Sequence, residues 1–169
     1  RILKDMGCDA IRTAHNMPST MQMEVCDSMG MMVMAESFDM WLYPKCKNGY
    51  AMHFRDWAER DMTNLILCHR NHPSIVMWSI GNEIPEQWSV QGRQLSRWLQ
   101  NICHRLDPTR PVTQGMDKAE ASLQSGFAQV MDVAGFNYRV HKFDQSISQL
   151  PQGVLLGSES ASTLSSRGV

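Results

Sequence analysis

The sequence lacks the features that mark several common protein classes. Its 169 residues contain no apolar run near the ~20 residues that a membrane-spanning helix requires. The net charge is −1, with both signs interspersed, which argues against a nucleic-acid partner and against electrostatic attachment to a membrane. The five cysteines never form a CxxC pattern, so neither a disulfide framework nor a zinc site is predicted. What remains is the composition of a folded globular domain, 43% apolar and 20% charged.

Short apolar segments alternate with helical patterns along the whole chain. The apolar segments are nearly continuous, as parallel strands covered on both faces require, and they predict strands at residues 9–14, 31–35, 75–81, 112–115, 133–137 and 154–158. Apolar residues three and four apart predict helices at about residues 54–69 and 91–106, with weaker ones at 19–28 and 120–129. The repeated strand–helix order indicates an α/β fold.

Two α/β architectures fit this alternation, a doubly wound open sheet and an incomplete (β/α)8 barrel. The chain has no GxGxxG and no GxxxxGK[ST] motif, which removes the commonest reason for a nucleotide-binding open sheet. Polar residues instead follow several different strands, and the rim of a barrel collects such residues from the carboxyl ends of its strands. The sequence therefore favours the barrel.

Two of the buried strands end on a carboxylate. "SIVMWSIGNE" finishes on Asn82 and Glu83, and "GVLLGSES" delivers Glu159. Further polar side chains follow the other strands and would face the same rim: Arg12, His15, Glu36, Asn137 and Tyr138. Any one of them alone is more ordinarily a solvated residue or a helix cap, but five such strand ends together are hard to explain by solvation.

Paired carboxylates at one rim suit glycoside hydrolysis. Cleaving the acetal needs a proton for the leaving oxygen and negative charge near the forming oxocarbenium carbon. A retaining enzyme places its two carboxyls ~5–5.5 Å apart, and an inverting enzyme ~6.5–9.5 Å apart to admit a water. The spacing of Glu83 and Glu159 along the sequence leaves both routes open.

Four segments carry a family resemblance: "AIRTAHNMPS", "HPSIVMWSIGNE", "DVAGFNYR" and "GSESAS...SSRG". They resemble the catalytic barrel of glycoside hydrolase family 2, the group of β-galactosidases, β-glucuronidases and β-mannosidases. "FDMW", "RNHPS" and the "SES...SSRG" ending are similar to the β-galactosidase branch. The resemblance implies that residues 1–169 are a single, incomplete catalytic barrel domain, a partial TIM barrel running from about strand 2 to strand 7. It also implies that strands one and eight and accessory β-sandwich domains complete the protein.

The resemblance implies a retaining exo-β-glycosidase acting on a β-glycoside or oligosaccharide, with β-galactosidase as the first choice. β-Glucuronidase and β-mannosidase are the alternatives, together with a carbohydrate-binding barrel that has lost catalysis. In this assignment Glu83 is the general acid/base and Glu159 the nucleophile. Arg12 keeps Glu159 ionised, Tyr138 donates a hydrogen bond to it, and Asn82 contacts the sugar 2-hydroxyl. His15, Asn137 and Glu36 are the remaining predicted substrate-binding residues.

The sequence departs from the family pattern at three places. Ala35 stands where an Asp commonly precedes Glu36, and Met17 stands where a Pro is frequent. The Glu-x-His element that holds Mg²⁺ in some members is missing, because "ESFDMW" offers Glu36 and Asp39 without a His; we therefore expect no metal and no cofactor.

Other features of the chain bear on its organisation. In the insertion "FDMWLYPKCKNGYAMH", Trp41 and Tyr43 suit either loop anchors or sugar-stacking rings. The Ser-rich end, "SASTLSSRGV", reads as the start of the next loop and helix. The chain begins without a Met in what reads as mid-helix, so we expect a piece of a longer protein and read no compartment from it. A homo-oligomer is compatible with the sequence, which carries no signal for or against one.

Overall fold

The structure, a computed structural model, describes residues 1–161. It contains six strands in that range: β1 at Ala10–Arg12, β2 at Met32–Glu36, β3 at Ile75–Asn82, β4 at Val112–Met116, β5 at Ala134–Asn137 and β6 at Leu155–Glu159. Each of them overlaps a predicted strand. The loop and helix predicted in the Ser-rich end fall mostly on residues 162–169 and lie outside the described residues.

Helices separate the strands. They are α1 at Ile2–Asp5, α2 at Thr20–Met29, α3 at Phe54–His69, α4 at Val90–Leu106, α5 at Ala119–Gln124 and α6 at Phe143–Ile147. Short 3₁₀ turns lie at Tyr50–Met52, Pro85–Trp88, Ala128–Val130 and Val140–Lys142. Within residues 1–161, none of these helices combines the length and the apolar character needed to cross a membrane.

The strand order identifies the architecture as part of a barrel. All six strands are parallel and pair in the order β1-β2-β3-β4-β5-β6, whereas a doubly wound sheet reverses its order at an internal switch point. The sheet also curls, which brings its first and last strands together. Arg12 on β1 donates hydrogen bonds to the Ser158 carbonyl and to Glu159 on β6. The fold is a partial TIM barrel, as the sequence predicted.

The core lies between the sheet and the two long helices. β3 buries Trp78 and Ile80 completely, α3 contributes Met62 and Ile66, and α4 contributes Leu99. Buried residues recur at three- and four-residue spacing, with Met62, Leu65 and Ile66 on α3 and Leu99, Ile102 and Cys103 on α4, so each helix presents one apolar stripe to the core. This packing fixes the strand ends on which the polar residues sit.

The predicted helix at residues 120–129 is wrong in extent. Helix α5 ends at Gln124, Gly126 takes the left-handed conformation with φ 75°, and a separate 3₁₀ turn follows at Ala128–Val130. A glycine with positive φ ends a helix at little cost because it has no Cβ.

Candidate active site

The carboxyl ends of the strands bring all eight predicted site residues into one network of hydrogen bonds. Parallel strands end at the same edge of the sheet, and the curl of the sheet brings β1 and β6 within reach of each other's side chains. The members are Arg12, His15, Glu36, Asn82, Glu83, Asn137, Tyr138 and Glu159.

Arg12 is the hub of this network. Its Nε donates to Glu36 Oε2 at 2.7 Å, its Nη1 to Glu159 Oε1 at 2.5 Å, and its Nη2 to Asn82 Oδ1 at 2.8 Å. The planar guanidinium suits this position because it presents several donors in a fixed geometry. One side chain therefore links the ends of β1, β2, β3 and β6.

Glu159 is held in its ionised form by two donors. Burial would raise the pKa of its carboxyl, but hydrogen bonds from the Tyr138 hydroxyl and from Arg12 outweigh burial, so the pKa is lowered. The same contact with Glu159 raises the pKa of Tyr138 to about 12, which keeps the phenol protonated as a donor. Such a carboxylate is available as a nucleophile at neutral pH.

Glu83 joins the network through two amides. Asn137 Nδ2 lies 3.1 Å from Glu83 Oε1 and 3.0 Å from Asn82 Oδ1, which in turn accepts from Arg12. A continuous chain of hydrogen bonds therefore runs from Glu83 through Asn137, Asn82 and Arg12 to Glu159. The two predicted carboxylates lie at one site.

The backbone is in the left-handed region at two of these residues. Glu83 has φ 45° and Tyr138 has φ 57°, a conformation that costs non-glycine residues roughly 1–2 kcal/mol each. Hydrogen bonds to neighbouring strands hold both, from Glu83 N to the Gly115 carbonyl at 2.7 Å and from Tyr138 N to the Glu159 carbonyl at 2.6 Å. Strained residues of this kind concentrate at functional sites, where the surrounding structure fixes their direction.

Glu36 departs from its predicted place on the substrate surface. Its side chain is 0% exposed, and its oxygens face Arg12, Ser79 Oγ at 2.6 Å and His15 Nδ1 at 2.7 Å. The structure thus places Glu36 behind Arg12 and His15, where it orients both, rather than where a sugar would touch it. Asn137 is likewise fully buried and acts on its neighbours.

His15 occupies the edge of the network. The hydrogen bond with Glu36 raises the pKa of its imidazole, although burial opposes this. Its Nε2 lies 3.3 Å from Asn82 Nδ2 and 3.7 Å from Glu159 Oε1. The ring stands beside the lowered-pKa carboxylate, on the wall of a cavity.

That cavity, here called the His15 cavity, has a volume of about 450 Å³. It is lined by His15, Asn16, Met17, Ser37, Phe38, Asp39, Met40, Tyr50 and Asp61. Two carboxylates belong to the lining, and Tyr50 donates to Asp61 at 2.5 Å, whereas the lining contains no Lys or Arg. Lys45, which lies nearby, is already bonded to Asp39 and to the Asn82 carbonyl, both at 2.8 Å.

Several residues of the site escaped the sequence analysis. Ser79 donates to Glu36, and Ser158 donates to Asn137 Oδ1 at 2.7 Å. Gly115 makes room for the network, because a Cβ there would lie 2.8–2.9 Å from Asn137, Arg12 and Asn82. The feature of the sequence that could have identified them is a small or polar residue inside an otherwise apolar strand. A buried polar side chain there needs a hydrogen-bond partner, and a small one leaves space for its neighbours.

The insertion at residues 38–53 anchors itself through Trp41. Trp41 is fully buried and its Nε1 donates to the Ile80 carbonyl at 3.0 Å, which excludes it as a sugar-stacking ring. Tyr43 is 55% exposed and remains available to solvent. The loop-anchor interpretation therefore holds for Trp41, and the sugar-stacking interpretation stays a prediction for Tyr43.

The network offers carboxylates but no arrangement typical of a metal centre. Among residues 1–161, no group of three or more His, Cys, Asp or Glu side chains is placed to hold an ion. The predicted independence from metal stays a prediction.

The family model, the curated relatives and the solved structures that match this chain agree with one another. A model of the family described as "Glycosyl hydrolases family 2, TIM barrel domain" matches residues 1–150. A β-galactosidase of Bacteroides ovatus is 37% identical over 99% of this chain and 23% of its own length, and human β-glucuronidase is 31% identical over 66% and 17%. A solved glycosyl hydrolase family 2 member from Bacteroides cellulosilyticus aligns with TM-score 0.88 and 35% identity, over 93% of this chain and 20% of that one. The chain thus spans about a fifth of the length of these relatives.

Proposed function

This chain belongs to glycosyl hydrolase family 2, and on that basis we propose that the protein is a retaining exo-β-glycosidase that hydrolyses terminal β-galactosides. The observation that carries the proposal is the hydrogen-bonded chain that joins Glu83 to Glu159, with Arg12 and Tyr138 both donating to Glu159. A double displacement needs this asymmetry, one carboxylate held ionised and a second carboxyl beside it.

In the proposed reaction, Glu159 attacks the anomeric carbon while Glu83 protonates the departing oxygen. Forming the glycosyl ester neutralises Glu159, and Glu83 is left ionised because it has given its proton to the departing oxygen. Glu83 then takes a proton from water, while the water oxygen attacks the same carbon and the ester bond to Glu159 breaks. Arg12 and Tyr138 stabilise the carboxylate when it is released again. Glu36 acts on this step only through Arg12 and His15.

The His15 cavity favours a neutral sugar. It adjoins the network at His15 and Asp39, and among the described residues its lining includes no Lys or Arg that could pair with the carboxylate of a uronic acid. Recognition of a uronate calls for Arg or Lys, and Lys45 is already paired with Asp39. β-Glucuronidase is the second candidate, because several relatives carry that name.

The test is a panel of p-nitrophenyl β-galactoside, β-glucuronide and β-mannoside with the full-length protein. We expect the highest kcat/KM for the galactoside and no turnover in Glu159→Gln. Glu83→Ala should slow deglycosylation far more than glycosylation of an activated aryl glycoside, and azide should restore its turnover. Glu24→Gln, which changes an exposed carboxyl on α2, is the matched control and should behave as the wild type.

Two results would contradict the proposal. Glu83→Ala with wild-type rates on unactivated substrates would remove the acid/base assignment. A 2-fluoro sugar that inactivates the enzyme without labelling Glu159 would remove the nucleophile. A preference for the glucuronide would keep the mechanism and replace the sugar.

A further inference from the structure

An ion pair from the insertion at residues 38–53 contacts the residue that precedes Glu83. Lys45 Nζ donates to Asp39 Oδ1 and to the Asn82 backbone carbonyl, both at 2.8 Å. Asp39 Oδ1 also accepts from Asn82 Nδ2 at 3.2 Å. The Lys45–Asp39 pair therefore binds both the main chain and the side chain of Asn82.

Two hydrogen bonds fix the plane of the peptide group between Asn82 and Glu83. Lys45 donates to the carbonyl oxygen of this group, and its N–H, which belongs to Glu83, donates to the Gly115 carbonyl at 2.7 Å. Rotation of the planar group changes the φ angle of Glu83, because the group is joined to the Glu83 Cα by the bond about which φ is measured. That angle is 45°, in the left-handed region that residues with a Cβ disfavour. The two bonds therefore hold Glu83 in a direction that it would not keep by itself.

The insertion is held next to this peptide group by buried contacts of its own. Trp41 Nε1 donates to the Ile80 carbonyl at 3.0 Å, and Glu86 Oε1 accepts from the Tyr43 backbone N–H at 3.0 Å. Trp41 is fully buried and Glu86 is 1% exposed, whereas the Lys45 side chain is 24% exposed. Because the anchored residues precede Lys45 by only a few positions, they direct its side chain to the end of β3.

We propose that Lys45 is a positioning residue for the acid/base, which holds the Asn82–Glu83 peptide group so that the Glu83 carboxyl faces the departing oxygen. The inference rests on the proposed function, because it gives Lys45 an effect on the residue that protonates this oxygen. Lys45 acts through the peptide group and does not touch the substrate. An ammonium suits this role, since it has three donors and its charge strengthens each bond to an oxygen.

The two carboxylates should respond differently to the loss of Lys45. Protonation by Glu83 matters most for a basic leaving group and little for 2,4-dinitrophenolate, which departs unprotonated. Glu159 is bonded by Arg12 and Tyr138, and among residues 1–161 neither of these bonds to Lys45. Removing Lys45 should therefore slow the cleavage of a galactoside with a poor leaving group and spare the attack by Glu159.

The experiment measures kcat/KM for phenyl and 2,4-dinitrophenyl β-galactosides with the full-length protein. In Lys45→Met, we expect the ratio of the two values, phenyl over dinitrophenyl, to fall by about tenfold, because a small displacement of a catalytic group costs at least this much in rate. Glu83→Ala should lower the ratio further, and Lys45→Arg, which keeps the charge and the donors, should recover most of it. Lys47→Met removes another exposed lysine of the insertion and should keep the wild-type ratio.

Two further measurements distinguish positioning from a general loss of structure. Thermal melting checks that each variant folds. The rate of inactivation by 2,4-dinitrophenyl 2-deoxy-2-fluoro-β-galactoside, whose leaving group needs no acid, reports on Glu159 and should keep its wild-type value in Lys45→Met. Lys45→Gln, a neutral polar replacement, is measured in parallel and should lower the phenyl-over-dinitrophenyl ratio in the same direction, so the test does not depend on one variant.

The possible results separate the two proposals. An equal loss on both galactosides, or no loss, in Lys45→Met and Lys45→Gln would overturn the role of Lys45 and leave the glycosidase intact. Failure of both variants to fold would overturn it too, because Lys45 would then serve general stability. A wild type that cleaves no aryl glycoside, or a Glu83→Ala variant with the wild-type ratio, would overturn the proposed function and this inference with it.

Discussion

The charge of Glu159 depends on a balance between burial and hydrogen bonding. Burial raises the pKa of a carboxyl, whereas donated hydrogen bonds and a neighbouring guanidinium lower it. In Glu159 the donors, Tyr138 and Arg12, prevail and the pKa lies below its usual value. A lowered pKa keeps Glu159 ionised towards acid pH, so the acid limb of the proposed activity should depend on these two side chains.

We expect Tyr138→Phe to move that acid limb to higher pH. Removing the hydroxyl leaves burial opposed by Arg12 and His15, so the pKa of Glu159 rises and a larger fraction is protonated, and inactive, at mildly acid pH. The measurement is kcat/KM for an aryl galactoside between pH 4 and pH 8 in the full-length protein. A profile that falls in height but keeps its acid midpoint would show that Tyr138 does not control the ionisation of Glu159.

The sequence predicted the polar residues of this site that follow strands and missed the small residues that lie within strands. Arg12, Glu83 and Glu159 stand at ends of apolar strands, where the geometry of parallel strands brings them to one rim. Gly115 and Ser79 lie within strands, and their importance arises only from what approaches them in space. The burial of Glu36 was also unpredictable, because it depends on Arg12 and His15 closing over it.

Elements in this fold are joined by specific polar contacts as well as by the core. Asp27, on α2, accepts from the Ser74 backbone N–H at 3.0 Å through Oδ1 and faces His72 Nδ1 at 2.6 Å through Oδ2. The residues Ser74 and His72 belong to "RNHPS", which enters β3. The motif therefore positions the strand that leads to Asn82 and Glu83, and His72 has a structural role through its contact with Asp27.

We expect Asp27→Ala to destabilise the full-length protein by about 1–3 kcal/mol, since it leaves a part-buried N–H without its acceptor. The pKa of Asp27 is lowered: burial raises it, but the hydrogen bonds from Ser74 and His72 outweigh burial. An Asp with a lowered pKa stabilises the fold at any pH above the pKa that it has in the unfolded chain. This stabilisation is lost as the pH falls through the pKa of the folded state, so the difference in stability between variant and wild type should shrink towards acid pH.

Urea unfolding at pH 7 and at about pH 3, below the pKa of 3.8 that an unfolded Asp has, measures this difference. Asp9→Ala is the matched control, because Asp9 is exposed and, among residues 1–161, its side chain pairs only with Lys4, a surface contact worth little. An Asp27→Ala variant as stable as Asp9→Ala at pH 7 would show that the contact does not hold α2 to β3.

Element boundaries were predictable where the chain carries a cap. Helix α2 begins where Ser19 Oγ accepts from the Gln22 N–H at 3.2 Å and ends at Gly30, with φ 61°. The break after α5 was missed because Gly126 lies inside an otherwise helical pattern. A glycine in such a pattern predicts a helix end only when the following turn is known.

At the scale of the whole molecule, the curled sheet ends on two edges. Within residues 1–161, β1 pairs only with β2 and β6 only with β5. A (β/α)8 barrel closes its sheet with eight strands, and the six strands described here form part of such a sheet. Next to β1 lies an apolar cavity of about 360 Å³ that includes Ile11 and Cys26, and Met21 and Val25 beside it are at least half exposed.

We expect a chain of residues 1–169, produced by itself, to associate and to lack glycosidase activity. Unpaired strand edges and an exposed apolar patch both favour association, and each is relieved by pairing or covering. Size-exclusion chromatography over a range of concentrations and binding of a hydrophobic dye measure the effect.

The double variant Met21→Lys, Val25→Lys should reduce dye binding and average size, because it places charge on the patch, whereas Gln145→Lys, at an exposed position on α6, should change neither. A monomeric wild-type chain that hydrolyses an aryl galactoside would show that six strands suffice to hold Glu83 and Glu159 in place.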